Sequence, residues 1–200
     1  NSGARGFLGA AAGGPSGNVT RGTFFGGYDG SSWTKGIEYI TIATTGNGQD
    51  FGDLDGNGRS AIDGMTNGER GVSAGGHEGS AVSEMNYWDI ETTGNASNFG
   101  EMLGSYWGRG TASNATRGLM AGGYYTQTIE YISINTTGNG TNFGNLIGDY
   151  NGVGGFNDAT RAVFIGGEGT SENSNRLSYV EFDTTGNSTS FGDTNNPSNN

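Results

Sequence analysis

One short segment occurs four times in this chain and constrains its fold more than any other feature. It consists of a stretch such as Ile37-Glu38-Tyr39-Ile40, followed by Thr-Thr-Gly-Asn and then by a Phe-Gly pair. The glycines of the four Thr-Thr-Gly-Asn segments are 48, 44 and 48 residues apart: Gly46, Gly94, Gly138 and Gly186. A period of about 40–50 residues with strand-like content is typical of the blades of a β-propeller.

Each repeat also contains an Arg followed by a short apolar run that ends in Gly-Gly. These four residues are Arg21, Arg70, Arg117 and Arg161. We predict four strands per repeat: strand a in a Gly-rich linker, strand b from the Arg to the Gly-Gly pair, strand c in the Ile-Glu-Tyr-Ile segment and strand d around Phe-Gly. The predicted a strands are Ala4–Gly9, Arg59–Gly64, Tyr106–Gly110 and Gly152–Phe156.

The composition favours a folded, turn-rich, all-β chain. Charged residues make up only 14%, whereas disordered chains combine low hydrophobicity with high net charge. The 42 glycines show no collagen-like triplet and suit tight turns between short strands. In Ile37–Ile42, apolar residues occupy both strand parities, which indicates that both faces of each sheet are buried between neighbouring blades.

The repeat resembles the kelch repeat, which has an Arg, a hydrophobic strand ending in Gly-Gly, a strand with a Tyr, and an aromatic residue in the last strand. Phe stands here where a kelch repeat has Trp: Phe51, Phe99, Phe143 and Phe191. The combination of motifs is most similar to kelch-like repeats in virion and tail-fibre-like proteins of marine bacteriophages. This resemblance implies a structural or receptor-contacting role, in a virion or outside the cell, and supplies no catalytic residues.

We therefore predict an all-β propeller of four-stranded kelch-like blades. Four blades are visible, either as a closed four-blade ring or as part of a larger propeller. We expect a single domain over residues 1–193 and a polar tail over residues 194–200. The predicted repeats cover about residues 4–55, 56–103, 104–147 and 148–193.

Charge and composition exclude several classes of function. The net charge is −11, with Lys35 as the single Lys, so the chain is poorly suited to neutralise nucleic-acid phosphates or an anionic membrane surface. It has no Cys, which excludes disulfides and thiolate sites. No apolar run approaches the ~20 residues that span a bilayer. We expect a partner that is a surface glycan, a protein or another virion protein, and we keep a homo-oligomer open.

In an a-b-c-d meander, the b–c loops and the d–a linkers emerge on the same side. The c–d turns hardly vary among the repeats, whereas the b–c loops differ in length and content, so we place any binding surface on the b–c side. Its aromatic residues, with Asn, Asp and Glu nearby, suit sugar rings or a protein partner. The candidates are Tyr28, Trp33, His77, Tyr106, Trp107, Tyr124, Tyr125 and Tyr150. The alternative for each is that it folds back as cover for a blade edge.

Three other signals have a chemical and a structural interpretation. The segment from Asp53 through Asp55 to Asn57 matches the first half of a calcium loop, but Gly64 stands where the loop needs Glu, so we favour a blade linker. The four Arg could bind an anion, but we expect structural pairing or carbonyl capping near the c–d turns. If Gly27 pairs with Ile37, then Arg21 lies near Ala43.

Glu38 and Glu130 occupy equivalent positions in their repeats. We interpret them as structural residues rather than as a catalytic pair, since glycosidases need two carboxylates in contrasting environments. We accordingly expect no cofactor and a non-enzymatic binding module. Two alternatives are a purely architectural virion decoration or connector protein and a propeller-type glycan-degrading enzyme. Unique acids gathered at the channel mouth would favour the enzyme, and aromatic residues there would favour the binding module.

Overall fold

The computed structural model describes residues 9–11, 20–169 and 175–195, and every regular element among them is a β-strand. Four antiparallel sheets lie in a ring as the blades of a four-blade β-propeller. The predicted all-β class and the four-stranded units are therefore confirmed. Most of the first predicted a strand (residues 4–8) and most of the tail (residues 196–200) lie outside the described residues. Within the described part of the chain, no helix could cross a membrane.

Each blade is a meander of strands a, b, c and d. Blade 1 comprises β1 (Gly9–Ala11), β2 (Arg21–Phe25), β3 (Gly36–Thr41) and β4 (Gln49–Asp53). Blade 2 comprises β5 (Asp63–Thr66), β6 (Arg70–Ala74), β7 (Glu84–Asp89) and β8 (Ser97–Glu101). Blade 3 comprises β9 (Gly110–Ser113), β10 (Arg117–Ala121), β11 (Thr126–Ser133) and β12 (Thr141–Asn151), and blade 4 comprises β13 (Gly154–Asn157), β14 (Arg161–Ile165), β16 (Arg176–Glu181) and β17 (Thr189–Asp193). The two-residue strand β15 (Glu168–Gly169) pairs with β12 at the edge of blade 3.

The predicted a strands begin too early in the chain. Strand β5 starts at Asp63 and β9 starts at Gly110, after linkers whose Arg residues, Arg59 and Arg109, are buried. The turn between strands a and b is tight because a side-chain oxygen three residues before the Arg accepts two backbone N–H groups. In blade 2, Asn67 Oδ1 accepts the N–H groups of Glu69 and Arg70 at 3.0 and 2.8 Å. Asn114 and Asp158 do the same in blades 3 and 4.

The Phe-Gly pair forms a β-bulge in all four blades. In blade 1, Ile37 pairs with Gly52 and the next residue, Glu38, pairs with Asp50, so Phe51 is the extra residue. The same register shift recurs beside Phe99, Phe143 and Phe191. A bulge redirects the strand and its side chain, and here it turns each Phe toward one face of its blade. We call that side the forward face and the opposite side the rear face.

The core consists of three apolar clusters, one at each junction between consecutive blades. At the first junction, Phe25, Ile37 and Phe51 on the forward face of blade 1 pack with Trp88 and Ile90 on the rear face of blade 2. The equivalent residues of blades 2 and 3, and of blades 3 and 4, form the other two clusters. The a strands β1, β5, β9 and β13 contact one another in chain order. Burial on both faces, as the mixed parity of strand c predicts, is confirmed for blades 2 and 3.

The Arg residues hold consecutive blades together. The predicted register of strands b and c is wrong by two residues, since Arg21 pairs with Thr41 rather than lying beside Ala43. The expected carbonyl capping is confirmed, but the carbonyl belongs to the next blade: Arg21 Nη1 donates to Glu91 O at 2.8 Å and Arg70 Nη1 donates to Ile134 O at 3.0 Å. Arg117 Nη1 donates to Phe182 O in the same way.

Candidate binding surface

The b–c loops and the d–a linkers meet on one side of the propeller through backbone hydrogen bonds. Gly27 N–H donates to Arg59 O at 2.8 Å, and Gly76 N–H donates to Tyr106 O at 3.0 Å. The Gly-Gly pair permits this approach, because a Cβ on Gly26 or Gly75 would overlap a linker carbonyl oxygen. The predicted location of these loops on a common side is therefore confirmed.

Five of the predicted aromatic and imidazole rings form a continuous row across this side, from blade 1 to blade 3. The ring centroids of Tyr28 and Trp33 are 5.6 Å apart, and those of Trp33 and His77 are 5.9 Å apart. His77 then lies 6.1 Å from Trp107, which lies 5.8 Å from Tyr124. The successive rings are tilted or edge-on to one another. We call these five residues the aromatic row.

The other three predicted residues lie elsewhere. Tyr125 is exposed next to the row, in the same loop as Tyr124. Tyr106 is half-buried, with the guanidinium of Arg109 4.7 Å from its ring centroid. Tyr150 is only 3% exposed and belongs to the cluster between blades 3 and 4, so we remove it from the surface. Its place at the end of the long strand β12 turns it inward.

The loop that carries Trp33 is fixed by Asp29. Asp29 Oδ1 accepts the backbone N–H groups of Ser31 and Ser32, both at 2.8 Å. These hydrogen bonds favour the carboxylate and lower the pKa of Asp29 to about 2, with the Ser32 N–H contributing most. The loop therefore keeps its charged hydrogen-bonded form throughout the physiological pH range.

Backbone strain is concentrated on the same side of the molecule. Among the described residues, positive φ angles occur at three non-glycine positions: Ala61 (50°), Tyr124 (49°) and Tyr125 (57°). Tyr124 and Tyr125 form the b–c turn of blade 3, and Ala61 lies in the linker before β5. Such conformations persist only where the surroundings impose them, and they are concentrated at functional sites.

A cavity of about 520 Å³ opens beside the aromatic row and shares Trp107 with it. Its polar lining includes Asp63 at the start of β5, Asn151 at the end of β12, and Glu168 in β15. Asp63 Oδ2 accepts the backbone N–H of Arg109 at 2.8 Å. Burial raises the pKa of Asp63 to about 8, against the opposing effects of this hydrogen bond and of the Arg109 charge. Asp63 therefore holds a proton over most of the neutral range.

The second acidic residue of the cavity, Glu168, connects the cavity to the exposed loop. The hydroxyl of Tyr125 is hydrogen-bonded to Glu168, which raises the pKa of Tyr125. Tyr124 N–H donates to Asn151 Oδ1 at 3.2 Å. Since Asn151 and Glu168 also line the cavity, the row and the cavity form one continuous surface with both aromatic faces and hydrogen-bonding groups.

Sequence reasoning did not find Asp63, Asn151 or Glu168. Each is unique to its blade, and an isolated acid or amide in a loop or linker resembles an ordinary solvated residue. Asp63 occupies the strand position held by Gly110 and Gly154 in blades 3 and 4, and this difference was the available signal.

The calcium-like segment has a structural use in this fold. The Asp53 carboxylate lies 3.2 Å from Lys35 Nζ, and the Asp53 backbone N–H donates to Asn95 Oδ1 of blade 2 at 3.0 Å. Asp55 and Asn57 are exposed. Within the described ranges, no three His, Cys, Asp or Glu side chains come together in a metal-binding group. Asp53 thus joins strands c and d of blade 1 and touches the next blade.

Comparison with known proteins assigns no family. No protein-family model matches the chain, and no curated protein matches it significantly.

Proposed function

We propose that this chain is a non-enzymatic, carbohydrate-binding module that holds its ligand along the aromatic row. The single observation that carries this proposal is the unbroken contact of five rings next to a cavity lined by carboxylate and amide groups. The kelch-like pattern and its similarity to marine phage virion proteins support a place in a virion or outside the cell, with a glycan on a host surface as the ligand.

The chemistry of the surface favours sugars over other partners. The C–H faces of sugar rings pack on aromatic faces, while their hydroxyl groups donate to carboxylates and amides such as Glu168 and Asn151. The net charge of −11 disfavours sialylated, sulfated and other anionic glycans. Neutral or amino-bearing oligosaccharides are therefore the expected ligands.

A glycan array, followed by calorimetric titration of the best soluble oligosaccharide, tests this proposal. Trp33→Ala and Trp107→Ala each remove one large ring from the row, and each is expected to weaken binding at least about 10-fold, which corresponds to ~1.4 kcal/mol. The matched control is Phe191→Ala, which removes an exposed aromatic ring from another surface and should leave the calorimetric affinity of each binding site unchanged. No bound glycan on the array, or equal affinity for all four proteins, would refute the proposal.

A second candidate, glycoside hydrolysis, is favoured by one specific observation. Asp63 and Glu168 line the same cavity, and Asp63 is protonated near neutral pH because burial raises its pKa. A protonated carboxyl beside a second carboxyl in one cleft is the pair of groups that glycosidic cleavage by general acid catalysis uses.

The release of reducing ends from the bound glycan separates the two candidates. Hydrolysis predicts that wild type releases reducing ends and that Asp63→Asn binds the glycan but does not cleave it. The binding module predicts that wild type holds the glycan intact during prolonged incubation.

A further inference from the structure

Two faces of the propeller lack the cover that their counterparts have in the chain. Phe191 on the forward face of blade 4 is 54% exposed, whereas Phe51, Phe99 and Phe143 are 2–3% exposed at the equivalent position. Ile42 on the rear face of blade 1 is 55% exposed, whereas Ile90, Ile134 and Phe182 are fully buried. The strands of blade 4 and blade 1 do not meet as the other consecutive blades do in the described part of the chain. Among the described residues, the junction between blade 4 and blade 1 is therefore open.

Strand a shows the same difference. Met65 in β5 lies over Gly118 on the rear face of blade 3, where the glycine leaves room for it. Phe156 holds the equivalent position in β13 of blade 4, and it is exposed. Its counterpart recess is at Gly22 on the rear face of blade 1, where the nearest side chains are those of Ile40 and Ile42. Blade 4 thus has a projecting side chain, Phe156, without a recess to fill, and blade 1 has a recess at Gly22 that no side chain of another blade fills among the described residues.

The polar contacts of the other junctions have no counterpart at the open junction within the described ranges. Arg21, Arg70 and Arg117 donate to carbonyl oxygens of the following blade, whereas Arg161 turns to Glu181 of its own blade at 2.8 and 2.9 Å. The turn residues Asn95, Asn139 and Asn187 accept the N–H groups of Asp53, Glu101 and Asn145 of the preceding blade at 3.0–3.1 Å. Asn47 is the equivalent residue in the first turn, and among the described residues it has no such donor.

We propose that the rear face of blade 1 in a second copy of this chain docks on the forward face of blade 4. The two faces are halves of a junction that the chain already forms three times, so their shapes and hydrogen-bonding groups match by virtue of the repeat. In the docked pair, Phe191 packs against Ile42, Phe156 covers Gly22, Arg161 reaches the Ile42 carbonyl and Asn47 accepts the Asp193 N–H. The interface joins two different surfaces, so association either closes into a ring or continues as a filament.

Sedimentation velocity over a range of concentrations tests the association. Wild type is expected to form dimers or larger species by about 100 μM, a concentration at which an interface with a Kd of about 1 μM is mostly occupied. Phe191→Asp, Phe156→Asp and Ile42→Asp are each expected to remain monomeric, with an unchanged β-sheet circular dichroism spectrum because these side chains are exposed. The matched control Leu103→Asp alters an equally exposed apolar residue away from the open faces and should associate like wild type.

Mixing the variants tests the identity of the two faces. Phe191→Asp keeps an intact blade 1 face, and Ile42→Asp keeps an intact blade 4 face, so an equimolar mixture is expected to form a 1:1 dimer and nothing larger. Added salt should strengthen the association of wild type, because it screens the repulsion between two chains of net charge −11. A wild type that stays monomeric at every concentration, a single variant that still associates, or a mixture that stays monomeric would each overturn the proposal.

Discussion

Arg109 and Glu130 form an ion pair in the interior of the molecule, where both side chains are almost completely inaccessible to solvent. Besides this pairing, Arg109 Nη2 donates to the carbonyl oxygens of Met120 and Thr128 at 2.9 and 2.8 Å. Glu130 Oε2 accepts the backbone N–H of Leu103 at 2.7 Å. The pair connects strands b and c of blade 3 to the linker that precedes it, which explains why Glu130 serves as scaffold.

Removing one partner of this pair is expected to be costly. Glu130→Gln leaves the Arg109 charge buried without a counter-ion and should lower the free energy of unfolding by about 3–5 kcal/mol. Glu181→Gln is the matched control, since its ion pair with Arg161 is substantially exposed and is worth about 0–1 kcal/mol. Urea denaturation measures both values, and equal losses in the two variants would contradict the structural account.

Asp63 makes the stability of the fold depend on pH. Its pKa is about 8 in the folded state because of burial, and it is close to 4 in an unfolded chain. The folded state therefore holds this proton more tightly. The stability linked to it is fully present below pH ~4 and is lost as the pH rises through 8.

Asp63→Asn keeps a side-chain oxygen for the Arg109 N–H but removes the titration. Between pH 5 and 8, unfolding releases the Asp63 proton, so the melting temperature of wild type should fall with rising pH by about 3 °C or more relative to the variant, the shift that 1 kcal/mol produces in a domain of this size. Calorimetric scans across this range provide the comparison. Parallel pH profiles for the two proteins would show that Asp63 ionises normally.

At the scale of elements, the two most regular motifs of the sequence are two parts of one contact. The Asn of each Thr-Thr-Gly-Asn turn in blades 2–4 accepts a backbone N–H from the residue that follows Phe-Gly in the preceding blade. The glycine of Phe-Gly allows this approach: a Cβ on Gly52, Gly100 or Gly144 would overlap the carbonyl oxygen of the neighbouring turn. The repeat therefore encodes the junction between blades as well as the blade.

The open junction supplies a control for this contact. Gly100 and Gly192 both have a φ of 146°, but only Gly100 has the next blade against it. Both alanine variants bear the backbone strain of about 1–3 kcal/mol, and only Gly100→Ala adds the overlap with Gly138. Measured by urea denaturation in the monomeric Ile42→Asp background, Gly100→Ala should be at least about 2 kcal/mol more destabilising. Equal effects would exclude steric contact between the blades as the role of this glycine.

Strands b, c and d could be predicted because their markers are local: an Arg, a β-branched segment and a Phe-Gly bulge. The a strands were misplaced because their boundary depends on the Asn67-type turn and on the burial of Arg59, which is a tertiary effect. Ring closure was not predictable from the repeat, since all four units contain the same junction residues. In the described part of the chain, the exposure of Phe191 and Ile42 shows which junction is open.

The candidate surface was predictable to a similar extent. Strand parity places the variable loops on one side, and large aromatic residues in such loops are recognisable in the sequence. The contact between Trp33 and His77 could not be predicted, because it joins loops of different blades. Tyr150 was misassigned because β12 is longer than the other d strands and carries this residue into the core.

At the scale of the whole molecule, all but one of the exposed large apolar residues of the described chain separate into two groups, the exception being Leu103 in the linker before β9. Trp33, Tyr124 and Tyr125 lie on the loop side, whereas Ile42, Phe156 and Phe191 lie on the two faces of the open junction. The proposed ligand binding and the proposed association between copies therefore use different surfaces. An assembly would present several aromatic rows together, and multivalent attachment strengthens weak individual contacts considerably.

The three tryptophans of the chain provide a direct test of the proposed ligand-binding surface. Trp33 and Trp107 belong to the aromatic row, whereas Trp88 is buried between blades 1 and 2. After 5-fluorotryptophan labelling, fluorine NMR during titration with the oligosaccharide selected on the array should shift the Trp33 and Trp107 resonances and leave that of Trp88 in place. Saturable binding that leaves Trp33 and Trp107 unchanged would contradict the assignment of this surface.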